Sequence, residues 1–377
     1  MIEAWDALAA RLNANAFMHP AALQAAAETG FAEIYVLLAW DETTTPRRPV
    51  GFWAMRVRND LPLIPAFLDA LPYNYAFTSN PVIDGACAED VVAAFFDAVR
   101  RDARLPKVIR LRSFVADPVV HPAMIRHLAG TGRYREFACA ERPVADRSSG
   151  TKKSGSTRKK LRQDWNRLSA AGAVEIVNLR TPVGAEAAFE TFLALEAASW
   201  KGAEGTALLS DARDAGFSRR LILNLAALGL ASVALLSVDG DAIAAQVLLY
   251  SGQCAYTWKT AFKASYARFS PGALLIDKAT EGLFESGRIA SIDSCSYADG
   301  IMAQLWTGRS ILIDALIDVR PRNLLGFAVE VAQHRGYELI LSMRRRMRSA
   351  IKRCRVALKK ASPAKASETI ADRTTRA

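Results

Sequence analysis

Residues 270–272 read Ser-Pro-Gly, and they carry the clearest chemical signal in this chain. They lie in the stretch YTWKTAFKASYARFSPGALL (256–275), which changes from β-branched and aromatic residues to an apolar helical pattern. The first turn of a helix presents unpaired backbone N–H groups and the positive end of the helix dipole, so it can bind a phosphate. Ser270, Gly272 and Ala273 are therefore predicted to bind a phosphorylated cofactor. The alternative is an ordinary helix start, with serine as N-cap and proline as first residue.

Two carboxylates, Glu196 and Asp293, are the candidates for accepting a proton during a reaction. The sequence contains four histidines, at positions 19, 121, 127 and 334, so residues 128–333 contain none. This distribution favours direct attack of an amine or hydroxyl on an acyl carbonyl, with a carboxylate or water taking the proton and a backbone N–H steadying the oxyanion. The alternative for Asp293 is a turn residue.

Lys259 is predicted to bind the donor or the acceptor. It lies in the predicted strand 254–261, where strict alternation would place it on one face with Thr257 and Ala261. The alternative is an edge lysine whose ammonium group reaches solvent along an apolar stem.

Trp200 and Lys201 follow the predicted helix 185–199 and are predicted to bind substrate. The alternative for Trp200 is a side chain that closes the core at the helix end. Cys295 is a less favoured nucleophile, because no histidine lies near it in the sequence.

These residues are placed by a pattern of strands and helices that predicts an α/β fold. Strands are predicted at 34–40, 50–57, 107–114, 231–238, 243–250, 254–261 and 289–294, and helices at 88–102, 185–199 and 271–286. Because short glycine turns join the strands between 231 and 261, these strands are expected to form an antiparallel meander.

A change in composition near residue 148 predicts a division of the chain. Ser, Gly and Lys are frequent at 148–155, and a basic helix follows, which is typical of a linker. The predicted segments are an N-terminal domain 1–147, a linker with basic helix 148–172, a C-terminal domain 173–335, a basic amphipathic helix 336–360 and a disordered tail 361–377.

The composition indicates a globular protein of 377 residues, with 51% hydrophobic and 23% charged residues. No apolar run approaches the roughly 18 residues of a membrane helix, and the N-terminus lacks the basic region of a signal peptide, so a cytoplasmic location is predicted. The five cysteines are scattered without a CxxC pair. Neither a disulfide framework nor a metal site is therefore expected.

The net charge of +11 is concentrated at the C-terminal end. Residues 336–377 contain 12 Lys or Arg and three Asp or Glu, and residues 343–360 contain nine Lys or Arg and no acid. Apolar residues recur there at spacings of three and four, which predicts a basic amphipathic helix. Three interpretations stay open: a solvated helix covering the body, a helix on an anionic membrane surface peripheral to the inner membrane, or, less favoured, a nucleic-acid contact.

Several segments together resemble a bacterial branch of the GNAT acyltransferases, the cellulose-biosynthesis-associated (CelD/BcsL-type) acetyltransferase family. The resemblance is carried by NANAFMHPAAL (13–23), LRQDWNRLSAAG (161–172), EAASWKGAEGTAL (196–208), 256–275 and DSC…MAQLWTGR (293–309). It covers most of residues 10–335 and is more specific in the second half. One departure is that the usual GNAT phosphate loop contains more glycine than Ser270-Pro271-Gly272.

This resemblance implies tandem GNAT-like domains, related to the Fem peptidyltransferases, with mixed and largely antiparallel sheets flanked by helices. It also implies an acetyl-CoA or other acyl-CoA donor, no metal, and Trp306 among the substrate-binding residues. The implied reaction is acyl transfer to an amine or hydroxyl of a small molecule or saccharide, in polysaccharide or envelope metabolism. A Fem-like transferase using aminoacyl-tRNA, or an assembly factor without catalysis, are the alternatives.

Overall fold

The computed structural model describes residues 2–12, 15–59, 65–148, 150–296 and 300–321, and further along the chain residues 327–329, 331–333, 335, 336, 339, 343 and 347. Residue contacts divide the chain into one compact unit, Met1–Arg322, and a second, Asn323–Ala377. The described residues of the second unit are helical. Of the predicted basic helix 343–360, only Met343 and Met347 lie within the described residues, and the predicted tail 361–377 lies outside them.

The described part of the first unit combines ten α-helices with twelve strands. The helices are α1 Ile2–Arg11, α2 Pro20–Glu28, α3 Ala88–Arg101, α4 Val120–Leu128, α5 Ser156–Ser169, α6 Pro182–Ala197, α7 Trp200–Ala203, α8 Ala212–Ala227, α9 Pro271–Glu285 and α10 Ile301–Leu305. The strands are β1 Tyr35–Asp41, β2 Arg48–Arg58, β3 Phe67–Asp69, β4 Val82–Ile83, β5 Val108–Val115, β6 Arg133–Asp146, β7 Val174–Leu179, β8 Ala231–Val238, β9 Asp241–Ser251, β10 Cys254–Phe262, β11 Ser291–Asp293 and β12 Gly308–Asp318. The predicted mixed α/β fold is confirmed.

All twelve strands belong to one mixed sheet. Eleven of them follow the order β1-β2-β3-β5-β12-β6-β11-β10-β9-β8-β7, and β4 pairs with β2. The pairs β3–β5 and β10–β11 are parallel and the other pairs are antiparallel. The predicted meander is confirmed, because β8, β9 and β10 are consecutive and antiparallel. The late strand β12 lies between β5 and β6 and so joins the two halves of the chain.

Two hydrophobic cores lie on opposite faces of the meander. Along β9, Val247 and Leu249 belong to the core that contains α6 and α8, whereas Leu248 and Tyr250 belong to the core that contains α9. This alternation follows from the period of two residues in a strand. The helices α6 and α9 therefore cover the two faces of the same strands, and β10 lies between them.

Within the described residues, no helix is both long and apolar enough to cross a bilayer. The boundaries predicted for the five segments of the chain stay a prediction.

Candidate active site

The carboxylate of Glu196 is at the centre of a buried charge cluster. Thr181 caps the N-terminus of α6, and Pro182 is the first residue of this helix. Glu196 is the last residue but one of α6. Its side chain is fully buried, and its Oε1 lies 2.9 Å from Lys201 Nζ and 3.7 Å from Lys259 Nζ. Its Oε2 accepts the backbone N–H of Leu208 at 2.9 Å. Both carboxylate oxygens are thus occupied, which is typical of a residue that holds other groups in place.

A β-bulge brings Lys259 into this cluster. The register between β10 and β9 shifts between Thr257 and Lys259, so Trp258 is an additional residue. The prediction that Thr257 and Lys259 share one face is therefore wrong, because a bulge breaks the alternation on which it was based. Thr257 Oγ1 contacts the sulfur of Met302 in one core, whereas Lys259 faces Glu196.

Two aromatic rings surround the ammonium group of Lys259. Its Nζ lies 4.8 Å from the ring centroid of Tyr75 and 5.8 Å from that of Trp258, within the range of cation–π attraction. Burial lowers the pKa of Lys259, and the attraction of Glu196 opposes this shift without cancelling it. The phenol of Tyr75 donates a hydrogen bond to Asp214 Oδ2 at 2.5 Å, and burial together with this bond raises the pKa of Tyr75.

Lys201 connects the cluster to the backbone of β10, and Trp200 lies beside it on the surface. The Ser199 side chain accepts the N–H of Lys201 and so begins the short helix α7. Lys201 Nζ donates to the backbone carbonyl of Thr260 at 3.2 Å. The Trp200 side chain does not close the core, because Trp200 is 60% exposed.

The start of α9 lies on the other face of β10. Ser270 has φ 52° and ψ 46°, and its side chain does not cap the helix. Instead Ser270 Oγ accepts a hydrogen bond from Lys160 Nζ, at 2.6 Å, and Lys160 belongs to the basic helix α5. The N–H groups of Ala273 and Leu274 turn back to the carbonyl of Ser270, whereas the N–H of Gly272 has no partner among the described residues. Ser270 therefore occupies the N-cap position and Pro271 the first turn, as the alternative interpretation expects, but the Ser270 side chain makes no capping hydrogen bond.

Close packing explains the glycine at position 272. A Cβ at this position would lie 3.3 Å from Phe262 Cδ1 and 3.6 Å from Thr260 Cγ2. A bulky substitution of Gly272 would therefore disturb the contact between α9 and β10.

The free edge of β10 brings the two predicted groups near each other. Among the described residues, β10 pairs with β11 only up to Tyr256, which lies opposite Asp293. Beyond this point, β9 is the only strand among the described residues that pairs with β10. Thr260 lies in this segment. Its carbonyl oxygen accepts a hydrogen bond from Lys201 Nζ, and its side chain lies beside Gly272. A ligand along this edge could reach Lys259 on one face and the start of α9 on the other.

Asp293 lies where this edge segment begins, because its backbone carbonyl accepts a hydrogen bond from Thr257 Oγ1 at 3.2 Å. Asp293 Oδ2 is 3.5 Å from a guanidinium nitrogen of Arg142, and its Oδ1 accepts the N–H of Cys295 at 2.7 Å. Trp306 is fully buried in the core that contains α9. Cys295 is buried as well, and burial raises the pKa of its thiol, which disfavours a thiolate nucleophile. The roles predicted for Asp293 and Trp306 stay predictions.

Three groups of the site were not predicted from the sequence. Lys160 belongs to the basic cluster that marks the linker, and its spacing from Ser270 gives no signal for their contact. Tyr75 lies in an irregular segment, and Asp214 is one of several acids in the first turns of helices. Among the described residues, no cluster of His, Cys, Asp and Glu could hold a metal ion.

Comparison with known protein families gives a match for one segment of the chain. Residues 155–299 match the family described as acetyltransferase (GNAT) domain. This segment of the chain is similar to GNAT-type acyltransferase domains. The match includes α6, the meander and α9, and therefore Glu196, Lys259 and the start of α9, whereas Tyr75 lies outside it. The sequence matches no curated protein.

Solved structures share the fold at low identity. FemX superposes with a TM-score of 0.61 and 9% identity, covering 85% of this chain and 96% of FemX. The C-terminal domain (DUF2156) of an Agrobacterium fabrum protein described as a lysylphosphatidylglycerol synthetase gives 0.54 at 15% identity, covering 88% and 95%. L-PGS from Bacillus licheniformis gives 0.50 at 12% identity, covering 83% and 91%. At these identities the likeness concerns the fold alone.

Proposed function

We propose that this protein transfers an acyl group, acetyl in the simplest case, from a CoA thioester to an amine or hydroxyl acceptor. The observation that carries the proposal is the start of α9. There the N–H of Gly272, which has no partner in the part of the chain that the structure describes, the dipole of a 15-residue helix and the ammonium group of Lys160 lie together. These are the groups that bind a pyrophosphate. The GNAT-type domain around them supports an acyl-CoA as the source of that pyrophosphate.

The residues present fit such a donor without a metal ion. When bound, CoA supplies an activated thioester carbonyl. The acceptor nitrogen or oxygen attacks this carbonyl, the C–S bond breaks, and the departing thiolate takes up a proton. Lys259 would donate a hydrogen bond to the oxyanion that develops on the carbonyl, because it belongs to the edge segment of β10 and its ammonium group lies in a largely buried setting beside Glu196 and Tyr75.

Glu196 would act as a positioning residue in this scheme. Its two oxygens hold Lys201, Lys259 and the backbone of Leu208. A carboxylate with these partners stabilises two ammonium groups and is a poor proton acceptor for an incoming substrate. Asp293 or water is then the acceptor of the substrate proton, and the sequence analysis left both open.

For the acceptor we propose a saccharide or small molecule of polysaccharide or envelope metabolism. The exposed ring of Trp200, next to Lys201, is a surface on which a sugar ring could stack. The basic segment 343–360 would hold the enzyme at an anionic membrane surface. Both ideas come from the family resemblance and the charge distribution.

Calorimetric titration with acetyl-CoA tests the donor. Replacing Lys160 with Gln should weaken binding about tenfold, because one charge-assisted hydrogen bond to phosphate is lost. Lys159→Gln removes a neighbouring exposed charge of the same helix and is the matched control, for which we expect little change. Thermal unfolding of both variants shows whether α5 stays folded, since Lys160 also pairs with Asp164.

Two outcomes would contradict the proposal. Absence of acetyl-CoA binding to the native protein would refute the donor, and equal loss in both lysine variants would refute the assigned place of the phosphate. Retention of aminoacyl-tRNA instead of acetyl-CoA would favour the Fem-like alternative, for which the basic helix α5 would be the contact surface.

A further inference from the structure

A groove between α5 and α9 is not used by the site described above. It encloses about 310 Å³, at the lower end of the volumes, roughly 300–1,000 Å³, of small-molecule sites. Leu161 of α5 and Leu274 of α9 supply apolar surface, and Trp165 lines it as a half-buried aromatic ring. Lys278 Nζ lies 5.6 Å from the Trp165 ring centroid. The groove therefore combines a flat aromatic surface with aliphatic side chains.

The charged residues of the groove divide into two groups. Arg158 is held by both oxygens of Asp277, at 2.5 and 2.6 Å, and by the Thr151 hydroxyl at 2.8 Å. Lys278 pairs with Glu281 at 2.8 Å. Both acids of the groove are thereby neutralised, so they repel an anionic ligand little.

Two further cations of the groove have no such partner. Lys153 and Arg162 line it, both are exposed, and neither forms an ion pair or hydrogen bond with the described residues. Positive charge is thus available beside an aromatic ring. A ligand that matches both features has a planar heterocycle and a phosphate group.

We propose that this groove binds the adenosine phosphate end of the acyl donor, with the base against Trp165 and a phosphate at Arg162 and Lys153. The proposal rests on the proposed function, in which the pyrophosphate lies at the start of α9. Leu274 follows Gly272 by two residues, about 3 Å along a helix axis. In CoA the adenosine is joined directly to the pyrophosphate, so a subsite that begins about half a turn further along α9 is within its reach.

Adenosine 3′,5′-bisphosphate tests the groove directly, because it lacks the thioester and the pantetheine arm. We expect calorimetry to show binding to the native protein, retained in Trp165→Phe and weakened about tenfold in Trp165→Leu, since only phenylalanine preserves stacking. Arg162→Gln should weaken binding similarly. Arg167→Gln, an exposed arginine of the same helix outside the groove, is the matched control. Acetyl-pantetheine should bind all five proteins equally, because it lacks the nucleotide.

The outcomes separate this proposal from the proposed function. Binding of acetyl-CoA that is equal in native protein, Trp165→Leu and Arg162→Gln would overturn the groove and leave the donor in place. Binding of the bisphosphate but not of acetyl-CoA would support the groove as a nucleotide site and refute CoA as the donor. The 3′-terminal adenosine of a tRNA would then be the source of the bound adenosine. Binding of neither would overturn both. Because Trp165 also packs against the core, the exposed Arg162→Gln variant decides if Trp165→Leu fails to fold.

Discussion

Replacing Glu196 with Gln distinguishes a positioning carboxylate from a proton acceptor. The substitution preserves shape and removes the negative charge that Lys201 and Lys259 share. With an effective dielectric constant of about 20, the attractions across 2.9 and 3.7 Å are roughly 6 and 4 kcal/mol before desolvation is subtracted. Desolvation offsets much of this, and removal of one partner from a buried ion pair typically costs about 3–5 kcal/mol. We therefore expect the free energy of unfolding to fall by about 3 kcal/mol or more.

Urea denaturation measures this change, and a double-mutant cycle assigns it. In Glu196→Gln the ammonium of Lys259 keeps its burial and loses its counterion. The additional change Lys259→Met removes that uncompensated charge, so the double variant should recover about 1 kcal/mol or more relative to additivity. Lys263→Met is the matched control, because Lys263 pairs with Asp241 on the surface and is not part of the cluster.

The opposite pattern would refute this reasoning. If Glu196→Gln unfolds at the same urea concentration as the native protein and loses only its turnover, the carboxylate takes part in the chemistry and other contacts hold Lys259. If the cycle shows no coupling, the contact between Glu196 and Lys259 at 3.7 Å contributes nothing to the free energy of unfolding.

Two further predictions concern pH and the C-terminal segment. Burial lowers the pKa of His19 to about 4 from 6.5, although Asp6 Oδ1 lies 3.6 Å from its Nε2. Because the folded pKa is depressed, the stabilisation is complete above pH 6.5 and is lost as the pH falls to about 4, a change of about 3 kcal/mol that His19→Asn should abolish in urea titrations. Truncation after residue 342 should leave acetyl-CoA binding unchanged and remove salt-sensitive sedimentation with anionic liposomes, since each basic residue near such a surface contributes on the order of 1 kcal/mol. Unchanged sedimentation would place the attachment elsewhere, for example at residues 152–162.

Elements with strong local signals were predicted closely. The strands β8, β9 and β10 lie within two residues of their predicted bounds, because glycine turns separate apolar runs. Pro271 and Gly287 bracket α9 in the same way. In contrast, β6 was not predicted, because its sequence RYREFACAERPVAD is rich in polar residues. In the structure, its buried residues do not alternate regularly either. Its pairing with β12 is non-local, and only the assembled sheet shows it.

The candidate site was predicted in its residues more than in its geometry. Glu196, Lys201 and Lys259 were chosen separately, and the structure brings them together. A period of two residues placed Lys259 beside Thr257, whereas the bulge at Trp258 turns it to the opposite face. The contact of Lys160 with Ser270 joins residues 110 positions apart, a distance at which a single sequence gives no pairing signal.

The bulge at Trp258 has a consequence for the proposed chemistry. In a regular strand, Lys259 would share the face of Thr257, which is filled by Met302. The additional residue turns Lys259 toward Glu196 and Tyr75, while Thr260 stays beside Gly272 at the start of α9. An acyl donor bound at α9 and an acceptor approaching from the α6 face would therefore meet at the unpaired edge of β10. In this arrangement the cation that steadies the oxyanion lies on the acceptor side, so loss of Lys259 should reduce turnover more than donor affinity.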